Sequence, residues 1–231
     1  MIVLVAHGTR APAGVRVISE LAELVRARVD VEVRVAYADV LQPDVTSVLR
    51  DVPGEAVVVP AFLASGYHVR TDIPAQIEAS GHRAVRLTPA FGAAPELLDV
   101  LEQRLLDAGY RDGDAVVLAA AGSSDPRALS EVRVAARALR ARLGVPVRVG
   151  FAATARPSVA EVVDSLRRHR VAVASWLLAP GLFHRRLADS GAAVVAEPLG
   201  AHPAIADLVV RRYQSTLDSV SPRAAATTSA S

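Results

Sequence analysis

The sequence predicts an α/β protein built from two similar doubly wound domains, each a parallel sheet flanked by helices. Three observations carry this. The chain repeats itself: "VAHGTRAP" lies over "AAAGSSDP" and "YADVLQPDV" over "FAATARPSV" at an offset of 114 residues, pairing Gly8 with Gly122, Pro12 with Pro126 and Pro43 with Pro157. Further along, "FGAAPELLDVLEQR" matches "LGAHPAIADLVVRR" at an offset of 108, pairing Asp99 with Asp207 and Arg104 with Arg212. A duplication with a few residues lost from the second copy explains both offsets. Within each copy, valine-rich runs alternate with stretches of helical period, the pattern of βαβ units with right-handed crossovers.

Taken in order, "IVLVA", "VEVRVAY", "AVVVPAF" and "RAVRLT" are short, β-branched and bounded by turn residues. That suits strands buried on both faces. Between the first two, Val17, Leu21, Leu24 and Arg28 fall on one helical stripe. In the second copy Leu129, Val132, Ala136, Leu139 and Leu143 do the same. Pro12 and Pro126 stand where a first helical turn needs no N–H. "VAVASWLLAPGLF" is broken by Ser175 and Pro180-Gly181 and is too short to cross about 30 Å of hydrocarbon, so it reads as a buried strand with its exit loop. The domains are expected at 1–110 and 111–220, joined near "DAGYRDGDA", with 221–231 a patternless small-residue tail expected to be disordered.

Bulk composition narrows the chemistry. Of 231 residues, 52% are hydrophobic, enough for a large core. The 26 basic residues are all arginine and are nearly balanced by 24 acidic ones, so the net charge is only +2 and no basic stripe marks a nucleic-acid binder. Cysteine is absent, which removes thiolate metal sites, disulfides and thiol catalysis together. Any metal must then sit on His, Asp or Glu. Met1 leads straight into "IVLVA" without a basic flank or a cleavage signal, so a cytoplasmic location without membrane attachment is expected.

Open parallel sheets bind ligands beyond the carboxyl ends of their strands, where the strand order reverses. That rule selects His7 after the first strand, Asp39 after the second and His68 at the end of "FLASGYH" after the third. With strand order 2-1-3-4, His7 and His68 face each other across the crevice and Asp39 stands beside them. Gly8 and Gly66 can take positive φ and let the chain turn sharply next to a ligand. Two imidazoles and a carboxylate suit Co²⁺, Fe²⁺, Ni²⁺ or Zn²⁺, and an imidazole also exchanges protons near neutral pH. His82, His169 and His202 read as loop residues bonded to backbone.

Two other readings of "HGT" carry less. As a phosphate loop it has one glycine and no lysine behind it. A histidine phosphatase would place its phosphate-accepting His in an Arg-His-Gly motif, and here Ala6 stands where that arginine belongs.

"VLVAHGTR", "YADVLQPDV" and "VVVPAFLASGYHVRTDIP", in that order and spacing, resemble the sirohydrochlorin chelatases, class II enzymes that insert cobalt or ferrous iron into a carboxylate-rich tetrapyrrole. "WLLAPGLFHRRL" and "PLGAHPAIADLVVRRY" resemble the second half of their long, duplicated members. The resemblance implies a flavodoxin/chelatase-like fold and a lyase of sirohaem or cobalamin biosynthesis. Its two active-site histidines fall at His7 and His68, and its acidic residue, a glutamate in the family, falls at the shorter Asp39. Fe²⁺, Co²⁺ and by extension Ni²⁺ are then substrates, and no organic cofactor is expected. Arg10 and Arg70, each near a site histidine, are candidates for the substrate carboxylates. The second copy has Ala121 in place of the first histidine, and His184 reads as a surface residue opening a helix, so one active site is expected, fed by the first half and roofed by the second. A fused pair supplies internally the two-fold contact of a dimer, so a monomer suffices. A carrier that binds metal or tetrapyrrole without turnover is the non-enzymatic alternative.

Overall fold

Every strand of the first half lies parallel to its neighbours, in the order β2-β1-β3-β4, and the second half repeats the arrangement as β6-β5-β7-β8. The structure is a computed structural model and describes residues 1–219; the expected tail at 221–231 lies outside them. The first half comprises β1 (Ile2–Ala6), α1 (Pro12–Arg26), β2 (Val33–Tyr37), α2 (Val45–Arg50), β3 (Ala56–Pro60), α3 (Ile73–Ser80), β4 (Val85–Leu87) and α4 (Pro95–Asp107). The second comprises β5 (Ala115–Ala120), α5 (Pro126–Leu143), β6 (Val147–Phe151), α6 (Val159–Ser165), β7 (Val171–Trp176), α7 (Leu182–Ala188), β8 (Val194–Val195) and α8 (Pro203–Asp218). Ile2 lies opposite Val33 on one side and Val57 on the other, which makes β1 a central strand and brings it beside β3, the other.

Alternation along the strands distributes the core between layers. Val3, Val5 and Val58 point to α2 and α3, in a core with Val48, Leu49 and Ile73. Ile2, Leu4, Val57 and Val59 point the other way, into a larger core that also takes Leu118, Ala172 and Ala174 from the second sheet. Both central strands are thus fully buried, whereas β4, expected to be covered on both faces, is a half-exposed edge strand. Edge placement removes one neighbour, and the run "VRL" pairs only with β3.

The large core is filled by an exchange of helices. α4, which closes the first half in sequence, packs on β7 and α5 of the second; α8 packs on β3 and α1 of the first. Repeat-related ion pairs fasten it: Arg28 Nε donates to Asp207 at 2.6 Å, and Arg142 donates to Asp99. Arg104 Nη2 donates to Leu199 O at 3.2 Å, and Arg212 Nη2 donates to Phe91 O at 3.2 Å.

α1 begins on Pro12 and α5 on Pro126, as expected. The α1 stripe is rotated from its predicted setting. Ile18, Leu21, Ala22 and Val25 are buried, Val17 and Leu24 are only half-covered, and Arg28 lies beyond the helix and is exposed. α1 is wedged between the sheet and α8, so two partners, not one, set its buried face.

Candidate active site

Beyond the carboxyl ends of β1, β3, β5 and β7 a cleft of about 780 Å³ opens between the halves. One wall carries Ala6, His7, Gly8 and Arg10 with the loop from Ala61 to Val69; the other carries Ala120 to Ser124 with the β7 exit loop from Trp176 to His184. Its size is that of a site for a sizeable ligand.

His7 is placed by the turn that leaves β1. Asp39 N–H donates to His7 O at 3.1 Å and Ala38 N–H to Ala6 O at 2.8 Å, extending the β1–β2 pairing past the last strand residue. Gly8 then turns with φ +95°, and a Cβ there would stand 2.1 Å from Asp39 O. Only glycine fits both conditions. The repeat preserves this turn: Gly122 has φ +100°, and a Cβ there would stand 2.0 Å from Ala153 O.

His68 opens a π-helical turn, His68–Asp72, that runs directly into α3. The wider turn sets His68 and Asp72 on one side, and His68 Nδ1 lies 2.5 Å from Asp72 Oδ2. A carboxylate there accepts a hydrogen bond from Nδ1–H, which keeps the proton on Nδ1 and leaves Nε2 as the open ligand atom. Asp72 went unread in the sequence, although His-x3-Asp is the spacing of one helical turn.

The His7 and His68 rings have centroids 4.5 Å apart and are tilted by 52°. With metal–nitrogen bonds of about 2 Å, a ring centre sits about 3 Å from its ion, so both rings can flank one divalent cation. Phe62 stands edge-on to His7 at 6.3 Å. Burial and the neighbouring His68 lower the His7 pKa below 6.5, against smaller opposing effects of the Asp39 and Asp72 carboxylates. His7 is therefore biased to the neutral form, the one that binds a metal or accepts a proton. Among the described residues no group of three or more His, Asp or Glu side chains converges as a complete ligand set.

The other predicted site residues fall out differently. Asp39 is exposed, and its Oδ1 accepts the Val40 N–H at 2.7 Å; it acts on His7 through its charge. Gly66 lies on the cleft wall without positive φ; its nearest neighbours across the halves are Ser123 Oγ at 3.8 Å and Ala128 Cβ at 3.9 Å from where a Cβ would be. A Cβ there would make only ordinary van der Waals contact, so neither the turn nor the spacing of the halves requires glycine at this position. Arg10 lines the cleft and is exposed. Arg70 does not reach the cleft lining: its Nε donates to Ser65 O at 2.7 Å, with Glu131 at 3.5 Å and Asp125 at 3.7 Å. Glu131 also accepts the Ser65 N–H at 2.8 Å, so these groups tie the His68 loop to α5.

His184 is the third residue of α7, half-buried on the cleft wall, and its Nε2 lies 3.3 Å from Ala196 O. Read as a surface residue, it is more enclosed than its sequence setting implied. His82 and His202 make the backbone hydrogen bonds expected of loop histidines, His82 Nε2 with Val52 O at 3.1 Å and His202 Nδ1 with Ala204 N–H at 3.2 Å.

Fold and cleft together define a duplicated, doubly wound α/β protein with a paired-imidazole floor between its halves. The model of the CbiX family matches residues 1–108 and again 115–216, and the chain belongs to the CbiX family. It is 26% identical over 130 residues to a sirohydrochlorin cobaltochelatase of Methanothermobacter thermautotrophicus, covering 46% of this chain and 91% of that one. Over 241 aligned positions it is 22% identical to a sirohydrochlorin ferrochelatase of Priestia megaterium, covering 94% and 91%. SirB from Bacillus subtilis with Fe³⁺ shares the fold, with a TM-score of 0.78 at 23% identity over 93% of this chain and 94% of that one. No helix among the described residues is long and apolar enough to cross a membrane.

Proposed function

We propose that this chain is a sirohydrochlorin chelatase, inserting Fe²⁺ or Co²⁺ into the tetrapyrrole for sirohaem or cobalamin synthesis. The observation that carries the reading is the pair of imidazoles, 4.5 Å apart, on the floor of a cleft large enough for a macrocycle. The relatives named above support the substrate. Residues 1–110 supply the reacting groups and 111–220 the opposing wall.

His7 and His68 hold the incoming ion, which is a substrate, and Asp72 orients His68 through Nδ1. Insertion releases two pyrrole N–H protons as the ring nitrogens take the ion over. Those protons pass through water to the Asp39 carboxylate, or to the imidazoles as they give up the metal. A site of two imidazoles holds the ion loosely enough to surrender it, and the same pair accepts Ni²⁺, because affinity order follows the ion more than the ligands. Arg10 faces the substrate's carboxylates. The chemistry needs no organic cofactor, and the fused repeat lets a monomer act.

An anaerobic absorbance assay with sirohydrochlorin and Co²⁺ or Fe²⁺ tests this. The expected result is catalytic turnover that His7→Ala abolishes. A spectral change that stops at one equivalent of protein would identify a carrier, and hydrolysis of a generic phosphate ester would identify a phosphatase.

A further inference from the structure

The described residues include seven exposed large hydrophobic side chains, and four of them stand around the cleft: Val40 at 46% exposure, Tyr67 at 61%, Leu182 at 53% and Phe183 at 37%. Single exposed hydrophobics are ordinary. Two from each half converging on one opening are not, and they leave an apolar rim above the imidazoles.

The backbone singles out the same rim. Two non-glycine residues have left-handed φ, Val40 at 68° and Thr154 at 61°, and both line the cleft. A β-branched residue reaches that region at a cost and persists there only when its surroundings hold it. Asp39 Oδ1, accepting the Val40 N–H, is such a hold. The rim connects to the imidazoles through aromatic rings: Tyr67 lies 6.0 Å from His68, and the half-buried Phe62 lies 6.4 Å from it.

A rim of this kind fits a ligand with broad apolar faces. The imidazoles below require that ligand to meet a metal, and the exposed Arg10 suits an acidic edge. A flat conjugated ring system with peripheral carboxylates has all three properties, and a metal can enter it only through a face. We propose that Val40 and Tyr67 from one half and Leu182 and Phe183 from the other form a two-sided apolar clamp that grips such a macrocycle and turns one face toward His7 and His68. The identity of the macrocycle rests on the chelatase reading; the clamp itself rests on the rim.

The chain's one tryptophan, Trp176, lines the cleft, so its emission reports occupancy. The full chain is titrated anaerobically with sirohydrochlorin, without metal, as wild type, Tyr67→Ala, Phe183→Ala and the double variant. Each single substitution is expected to raise the macrocycle Kd about fivefold to tenfold, the scale of one aromatic contact, and the double variant more. Tyr67→Phe should restore binding. Thermal melting should stay at the wild-type value, since both side chains are exposed, and Co²⁺ titrated alone should bind all variants as it binds wild type. A double variant whose macrocycle Kd matches wild type overturns the clamp, as does parallel loss of Co²⁺ binding or absence of any quenching in wild type. Quenching without metal insertion would defeat the chelatase reading and leave the clamp standing; insertion with unaltered Kd in the variants would do the reverse.

Discussion

Asp72 and His68 show how much a single contact decides at the residue scale. The carboxylate at 2.5 Å from Nδ1 fixes the tautomer and points Nε2 outward. Asp72→Asn keeps the shape and loses the charge. It should weaken Co²⁺ binding about tenfold to a hundredfold, as loss of such an outer partner does, and a calorimetric titration would read it. The charge on His7 follows a separate logic. Burial and His68 hold its pKa below 6.5, so the folded chain carries less proton there than the unfolded one. Stability from His7 is therefore full above that value and is lost as pH falls through the lowered pKa, and on the proposed chelatase reading metal binding should follow the same course. Replacing His68 with Ala removes the like charge and part of the cover, so the His7 midpoint, followed by its ring proton shift in NMR, should move up. A midpoint that stays or falls would refute this account. The juxtaposition of the two histidines was legible because the switch-point rule depends on strand order alone. Asp72 was not, because its role lies in a contact across a π-helical turn that no apolar period announces. The contacts of Arg70 were hidden for a related reason: proximity in sequence to His68 says nothing of the carboxylates, Glu131 and Asp125, that the start of α5 brings to it.

At the scale of elements, the turn from β1 into α1 carries the site. Gly8 and Gly122 occupy repeat-related turns with positive φ, each with a carbonyl oxygen where a Cβ would go. Alanine at either position should cost at least about 2 kcal/mol, from the left-handed backbone and the displaced carbonyl together. For a chain of this size that lowers Tm by roughly 4–8 °C, measurable by calorimetry. The two differ in function. Gly8→Ala shifts the residue next to His7 and should reduce insertion beyond its effect on stability, whereas the Gly122 turn follows Ala121 and carries no imidazole. Equal activity losses in the two variants would contradict the assignment of one site to the first half. The sequence revealed these elements well, since Val-rich runs and prolines at helix starts are local signals. It misjudged the face of α1 by one step around the helix, because periodicity reports that a face is covered without saying by how many partners.

The exchange of α4 and α8 belongs to the whole molecule. Each half completes its core with the other's last helix, so a single apolar cluster runs from Ile2 and Leu4 through Leu101 and Leu208 to Leu118 and Ala174. Nothing local in the chain encodes that exchange, although the repeat already paired Asp99 with Asp207 and Arg104 with Arg212, the residues that fasten it. A shared core couples the halves energetically. Leu208 belongs to the second half by sequence, is fully buried, and lies on a helix packed against α1 and β3 of the first. Leu208→Ala should cost about 2–5 kcal/mol, as cavities in such cores do. If the halves were independent, that loss would fall on one of two transitions and leave the other in place. With a common core it should lower the midpoint of the entire chain in one cooperative step, seen alike by Trp176 emission from the second half and by the His7 and His68 ring signals from the first. Two separated transitions by those probes would show that the exchanged helices do not bind the halves into one folding unit, and the cleft between them would then lose the fixed geometry on which its chemistry depends.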